Sequence, residues 1–342
     1  MGMKKWRLIL FPFAVVYGVL LFLRNKCFDW GVLKSHKLQI PSIGVGNLAV
    51  GGTGKSILID YLLTNFKLQT KTAVLSRGYG RKTSGVLIAD KSSSVASIGD
   101  EPYQFYKKHK EATIAVAEKR NIGVAKLLKE KPEIEFLLFD DLFQHRSTVP
   151  SLLVLTTTYE RPYFRDLLLP MGSLREGKSA ARRADIVVVT KCPKNLTSKE
   201  MAKFQKALHL NAKQRLFFTK LDYSNTIHNE KEKRPLSSLK LPFILVTGIA
   251  DSSPLVAFLK GAGFQFKHLS YPDHHFFSRS DLKKIKYHQK EGLVLTTEKD
   301  FTRLQLSGEI ERLFYLPVVL EFFEAESEKR FMQLITQCLI KD

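Results

Sequence analysis

An α/β sandwich built on a parallel sheet is the fold class this sequence predicts, and three observations predict it. Short, near-continuous apolar runs recur at 40–45, 72–75, 113–117, 134–139, 152–156 and 186–190, which is how strands buried on both faces read. Helical apolar patterns separate these runs, as parallel strands require. The first run passes directly into a glycine-rich loop that opens the next helical pattern. A second series of runs, at 243–247, 264–269, 293–296 and 313–319, predicts a smaller second α/β lobe. The polar stretch 225–240, with Pro235 and paired Ser237 and Ser238, reads as the linker between them. The expected organisation is an N-terminal membrane-anchoring helix over 1–30, a larger lobe over 31–224, the linker over 225–240 and the smaller lobe over 241–342.

The glycine loop reads Gly46-Asn47-Leu48-Ala49-Val50-Gly51-Gly52-Thr53-Gly54-Lys55-Ser56, and Ile57, Leu58, Tyr61 and Leu62 follow on one helical side. Strand, loop, Gly-Lys-Ser and helix in that order make a P-loop. Glycines let backbone N–H groups turn toward phosphate oxygens, and the helix N-terminus adds a favourable dipole. Val50, Gly51, Gly52, Thr53, Gly54, Lys55 and Ser56 are therefore the expected nucleotide-binding residues, for ATP with Mg²⁺. Lys55 is expected at the β- and γ-phosphates, and the Ser56 hydroxyl at the metal. Ala49 stands where the usual motif has its first glycine, and the Gly51-Gly52 doublet is expected to supply the flexibility. The fold class narrows to a P-loop NTPase-like α/β/α sandwich with a smaller second α/β lobe and an N-terminal membrane-associated helix.

The run 136–139 ends in Asp140 and Asp141, where a P-loop enzyme places the acid that holds its metal, so Asp140 joins Ser56 as an expected metal ligand. Asp100, in Gly99-Asp100-Glu101-Pro102, reads two ways: as a base for a substrate hydroxyl, or as the cap of a helix that begins at Pro102. Arg77 and Arg81, in a glycine-flanked basic loop, suit an anionic substrate or solvent. Arg175 and Glu176 close a Pro/Gly-rich loop. Asp273-His274-His275 pairs acid with imidazole; the adjacent histidines point apart and make a poor metal pair, so a histidine oriented by a carboxylate is the expected arrangement.

Residues 8–23 are apolar apart from Pro12, Tyr17 and Gly18, with Lys4, Lys5 and Arg7 before them and Arg24 and Lys26 after. As a helix this run is about 24 Å long, marginal against a hydrocarbon core of about 30 Å. A signal peptide needs a small-residue cleavage site, and Arg24-Asn25-Lys26 follow instead. The expected state is an uncleaved anchor in one leaflet, its basic flanks against anionic head groups. The formal charge of +21, from 54 Lys and Arg against 33 Asp and Glu, calls for an anionic partner. No RGG tract or basic-aromatic run is present, so nucleic acid is not expected, and no obligate protein partner is predicted.

These segments, in this order, resemble the tetraacyldisaccharide 4′-kinase family, the lipid A kinases of Gram-negative bacteria. The matching stretches are VGNLAVGGTGKS, LSRGYGR, GDEP, VAEKR, DDLFQH, LPMGSLRE, VTGIA, YPDHHFF and TTEKD, from the start of the chain to about Asp300. The resemblance implies ATP-dependent phosphorylation of the 4′-hydroxyl of a tetraacylated glucosamine disaccharide 1-phosphate, in lipid A biosynthesis. It implies a peripheral or monotopic enzyme on the cytoplasmic face of the inner membrane. Asp100 looks like the general base and His274 its partner from the second lobe; Lys55, Asp140, Asp141, Arg175 and Glu176 look like further catalytic groups. Gln144 and His145 look like site-lining, substrate-binding residues, joined by Arg77, Arg81 and Arg120 as candidate contacts to substrate phosphate. The sequence departs from the family pattern at Leu142, where DDGFQH carries glycine. A positive φ there would strain Leu142. Arg146-Ser147 replaces the usual Arg-Asp, and Ser56 a threonine. A membrane-bound partitioning ATPase is a weaker fit, because Val50 stands where its signature lysine belongs.

Overall fold

A computed structural model describes residues 9–65, 71–239, 243–273, 275–289 and 292–340. The chain forms two compact units, the first Met1–Leu221 with Leu320–Asp342, the second Asp222–Val319. The first unit opens with α1 (Phe11–Asp29), which has Pro12 in its first turn, where the missing N–H costs nothing. A short parallel pair joins β1 (His36–Lys37) to β7 (Thr148–Val149).

The sheet of this unit follows the predicted runs. Its strands are β2 (Ser42–Asn47), β3 (Thr72–Ser76), β4 (Leu87–Ile88), β5 (Thr113–Val116), β6 (Phe136–Asp140), β8 (Leu152–Thr158), β9 (Ile186–Thr190) and β10 (Arg215–Tyr223). Between them lie α2 (Lys55–Asn65), α3 (Val95–Ile98), α4 (Asp100–Lys108), α5 (Arg120–Glu130) and α6 (Ser198–Leu208). Thr197 and Glu200 cap the start of α6 reciprocally.

The second unit holds β11 (Thr226–His228), β12 (Lys233–Pro235), β13 (Phe243–Thr247), α7 (Ser253–Gly261), β14 (Phe266–Ser270), α8 (Arg279–Gln289), β15 (Val294–Thr297), α9 (Glu298–Gln305) and β16 (Leu313–Leu316). Its sheet order is β12-β11-β16-β15-β13-β14. Leu255 and Leu259 of α7 pack on one face, and Leu282, Ile285, Phe301 and Leu304 of α8 and α9 on the other. The chain then returns to the first unit with β17 (Val318–Phe322) and α10 (Ala325–Ile340).

The first sheet has nine strands, ordered β17-β10-β9-β8-β2-β6-β3-β5-β4, and every pairing from β10 to β5 is parallel. Leu58 and Leu62 of α2, Phe105 of α4 and Phe331 and Ile335 of α10 cover one face. Val124 and Leu127 of α5, with Phe204 and Leu208 of α6, cover the other. This is the α/β/α sandwich the sequence predicts.

Two boundaries differ from the expectation. The stretch 225–240 is no linker: it carries β11 and β12, hydrogen-bonded into the second sheet. Its polar character is that of an edge hairpin, with Lys233, Arg234 and Pro235 exposed on the outermost strand. The run 313–319 is broken at Pro317, so 320–342 belongs to the first unit. Phe331, Ile335 and Cys338 anchor α10 in that unit's core.

The helix α1 is about 28 Å long for its 19 residues, and by length and composition it passes for a membrane-crossing helix. Phe11, Phe13, Val16, Leu20 and Phe22 are exposed on it. A groove of about 480 Å³ runs between its outer half and Leu167, Leu168 and Met171. Its inner half is stitched down by polar contacts described below.

Candidate active site

The glycine loop leaves β2 at Asn47 and enters α2 at Lys55. Gly51 (φ 106°) and Gly54 (φ 83°) take the left-handed conformations the turn demands. Ala49 has no positive φ and instead bridges Leu174, so the absent first glycine is not missed. Threonines at the carboxyl ends of neighbouring strands fix the loop from below. The Thr53 and Thr156 hydroxyls are 2.8 Å apart, and Thr190 Oγ1 donates to the Thr53 carbonyl at 2.8 Å. From above, the Val50 N–H reaches the Ser173 carbonyl and the Arg175 N–H the Leu48 carbonyl. The loop is thus tied to the segments on both sides of it, and Ser56 sits beside Lys55 in the first turn of α2.

Lys55 Nζ lies 3.2 Å from Asn47 Oδ1 and 3.6 Å from Asp141 Oδ1. Asp141 leaves β6 with φ 53° and forms a two-point pair with Arg175, both bonds 2.8 Å. Against the effect of burial, the Arg175 hydrogen bonds and the charges of Lys55 and Arg120 hold Asp141 well below the usual carboxylate range. Its neighbour Asp140 behaves oppositely. Burial pushes its carboxyl up to about 6; Lys55 pulls it back, and Asp141 and Glu101 push further up. Ser76 Oγ donates to Asp140 Oδ2 at 2.9 Å, while Oδ1 is buried without a hydrogen-bond partner.

A buried carboxylate oxygen without a hydrogen-bond partner, beside the glycine loop, fits a cation ligand. Among the described residues no group of three or more His, Cys, Asp or Glu gathers. That donor set suits Mg²⁺, which takes one or two protein oxygens and completes its shell with phosphate oxygens and water.

Arg120 and Arg81 do not stand where a substrate contact would need them. Arg120 is 1% exposed and donates to the backbone carbonyls of Ala117 and Asp140, so it props the end of β6. Burial lowers its pKa to about 10. The Arg81 side chain is 3% exposed and is held by Glu118 and the Gly85 carbonyl. Arg77 alone of the three is exposed. Burial, then the charges of Arg120 and Arg77, press His145 down to about 4, so its imidazole is neutral at physiological pH. Gln144 Nε2 donates to the Asn47 carbonyl at 2.8 Å.

Glu176 is fully buried and accepts from Asn25 at 3.0 Å and Arg183 at 2.7 Å, a structural knot rather than a group open to ligand. Through it the site meets α1: Tyr17 donates to the Arg175 carbonyl and Arg24 to the Gln144 carbonyl, each at 2.9 Å. Asp100 is the first residue of α4 and partly exposed; Gly99 occupies the cap position, which removes the capping reading. His274 lies outside the described residues.

Asn47 is the main residue that sequence reasoning missed. Wholly buried, it takes hydrogen bonds from both Lys55 and Arg175 and fixes the two cations beside the loop. An amide closing a buried strand eight positions before the P-loop lysine was the available signal.

Leu142 is not strained. The left-handed residue of this turn is Asp141, and Leu142 is buried with ordinary backbone geometry. Its side chain fills the space above Gly44, where an added Cβ would lie 2.5 Å from Leu142 Cδ2. Gly44→Ala is therefore expected to destabilise the first unit by about 1–3 kcal/mol, and Leu142→Ala in the same chain to recover part of that loss. Urea unfolding of the two variants checks this; equal midpoints for wild type and Gly44→Ala would contradict it.

Comparison with known proteins places this arrangement. A family model described as tetraacyldisaccharide-1-P 4′-kinase matches residues 6–339. The tetraacyldisaccharide 4′-kinase of Flavobacterium johnsoniae is 42% identical over 317 residues, covering 92% of this chain and 93% of the relative. That of Bacteroides thetaiotaomicron is 41% identical over 347 residues, covering 95% and 90%. The crystal structure of LpxK from Aquifex aeolicus in complex with ATP superposes with a TM-score of 0.81 at 30% identity, covering 98% of this chain and all of that one.

Proposed function

The chain belongs to the tetraacyldisaccharide-1-P 4′-kinase family, and from that premise we propose that it transfers the γ-phosphoryl group of ATP to the 4′-hydroxyl of a tetraacyldisaccharide 1-phosphate in lipid A synthesis. The observation that carries the detailed reading is the buried, unpartnered Asp140 Oδ1 beside a loop already holding Lys55 against Asn47.

In this reading the backbone N–H groups of residues 50–54 cradle the phosphates, and Lys55 turns from Asn47 and Asp141 to the β- and γ-oxygens. Arg175 keeps Asp141 ionised, and Asp141 with Asn47 keeps Lys55 aimed. Ser56 and Asp140 would hold Mg²⁺, which neutralises charge on the transferring group. The 4′-oxygen forms a bond to the γ-phosphorus as the bond to the bridging oxygen of ADP breaks. The hydroxyl proton passes to the Asp100 carboxylate, with His274 as its partner. Phosphoryl transfer of this kind depends mainly on positioning and charge, which is what the Asn47–Lys55–Asp141–Arg175 network supplies.

The exposed apolar face of α1, followed by Arg24 and Lys26, suits a monotopic seat on an anionic membrane, on the cytoplasmic side where ATP is available. Because α1 is hydrogen-bonded to the Arg175 and Gln144 carbonyls, that seat would also bring the site to its lipid substrate.

One experiment tests both parts. Purified protein is incubated with γ-labelled ATP, Mg²⁺ and tetraacyldisaccharide 1-phosphate in anionic vesicles, and label in the lipid and co-sedimentation are read together. Label is expected in the lipid, reduced about 10²–10³-fold in Lys55→Ala, with the protein on the vesicles. Bound ATP without transfer to lipid would refute the kinase reading, and protein left in the supernatant the membrane seat.

A further inference from the structure

We propose that Lys191 is a further nucleotide-binding residue, one that takes the nucleoside end of ATP rather than its phosphates. The proposal rests on the reading that the glycine loop binds ATP, and its test separates the two.

The order of the strands gives a bound nucleotide its direction. The first sheet runs β9-β8-β2-β6 through the site. β2 feeds the glycine loop, and on one side of it β6 ends in Asp140, with Asp141 next. In the proposed reading Mg²⁺ and the γ-phosphoryl group belong on that side. The ribose and base then leave the loop on the other side, over the carboxyl ends of β8 and β9, the edge at which parallel sheets take their ligands.

β9 ends at Thr190, and Lys191 is the next residue. Thr190 is wholly buried under the loop: its Oγ1 donates to the Thr53 carbonyl at 2.8 Å, and a Cβ on Gly54 would stand 3.2 Å from it. On the far side of Lys191, Cys192 is buried, and its N–H reaches the Thr219 carbonyl at 3.1 Å. Lys191 itself is exposed. Pinned between these buried neighbours it takes φ 54°, a left-handed conformation that costs a residue with a Cβ and that glycine adopts freely. A lysine held in that conformation points to a use for its side chain.

The side chain reaches back to the glycine loop. Its Nζ stands 3.8 Å from where a Cβ on Gly52 would lie. Among the described residues, the chain neighbours of Gly52 aside, no other heavy atom comes within 4 Å of that point. The amino group therefore hangs over an exposed, side-chain-free part of the loop, on the side of β9. Lys55 is held on the opposite side, by Asn47 and Asp141. The two lysines thus divide the nucleotide, Lys55 at the phosphates and Lys191 at the nucleoside. A lysine lays its methylene stem along apolar surface and keeps its ammonium among polar atoms. Here the stem makes a shelf for the flat face of the purine, and the ammonium stays among ribose and loop oxygens.

The test is calorimetric titration of the full chain, with Mg²⁺, by ATP and by inorganic tripolyphosphate, which has the phosphates and no nucleoside. Glycine accepts φ 54°, so Lys191→Gly removes the side chain without loss of the fold. It is expected to weaken ATP binding about 5–20-fold and to leave tripolyphosphate within about twofold of wild type. Lys191→Met keeps a stem of similar length without the charge, and is expected to bind ATP within about threefold of wild type. Lys194→Ala removes the same charge from the same turn and is expected to bind both ligands as wild type does. An equal loss for ATP and tripolyphosphate, or as large a loss in Lys191→Met or Lys194→Ala as in Lys191→Gly, would reduce Lys191 to a charge near the phosphates and overturn the proposal. Unchanged ATP affinity in Lys191→Gly overturns it too, and leaves the loop in its role. A wild-type chain that binds neither ligand overturns the reading of the loop and the proposal with it.

Discussion

Asp100→Ala is expected to lower kcat by about 10²–10⁴-fold while changing ATP affinity by no more than about twofold. Asp100 opens α4, so its carboxylate lies at the positive end of the helix dipole. The charge of Glu101, the next residue, acts on Asp140, which puts the head of α4 within electrostatic reach of the end of β6. A base there would be close to the loop proposed to hold the phosphates without being part of it. Removing it therefore separates chemistry from nucleotide binding. The loss is expected toward the lower end of the range, because a loose phosphoryl-transfer transition state needs the proton removed late. Rapid-quench single turnovers, with ATP binding read by calorimetry on the same sample, make the comparison. Full turnover in the variant would exclude Asp100 as the base, and lost ATP binding would make it part of the nucleotide site instead.

The sequence made the sheet legible because each parallel strand is buried on both faces and reads as a continuous apolar run. It made the glycine loop legible because spacing, preceding strand and following helix all agree. Legibility failed where a residue's partner is distant in sequence. Arg81, whose glycine-flanked loop suited an anionic substrate or solvent, and Arg120, named only through the family resemblance, face Glu118 and the carbonyls of Ala117 and Asp140 respectively. An arginine looks the same in sequence whether it faces ligand, carboxylate or backbone. Glu176 read as a reacting group, but its partners, Asn25 and Arg183, come from α1 and from the segment before β9. Asn47 carries no motif of its own, and its importance appears only when Lys55 and Arg175 converge on it. The return of α10 to the first unit was hidden for the same reason: an amphipathic helix shows that it has an apolar face, not which core receives it.

Asp140→Asn is expected to abolish most turnover, about 10²–10³-fold, and at the same time to make the protein more stable. The two effects have one cause. In the folded chain burial raises the Asp140 pKa from 3.8 to about 6. The folded state therefore binds the extra proton between those values. Its stability falls as pH rises from about 4 to about 6, and the deficit is complete above that. A shift of that size corresponds to roughly 3 kcal/mol, an upper figure for what the uncharged, isosteric amide recovers. At pH 8 without Mg²⁺ the variant should melt about 2–6 °C above wild type, and at pH 4 the difference should vanish. Added Mg²⁺ and nucleotide should stabilise wild type and not the variant, because the lost carboxylate is the one that would bind the ion. In wild type the apparent Mg²⁺ affinity should weaken as pH falls below about 6, since the ligand must give up its proton first. Differential scanning fluorimetry across pH, with and without Mg²⁺–ATP, reads all of this. A variant that melts lower than wild type at pH 8, or that keeps turning over, would mean that Asp140 is held by its own fold and does not wait for a cation.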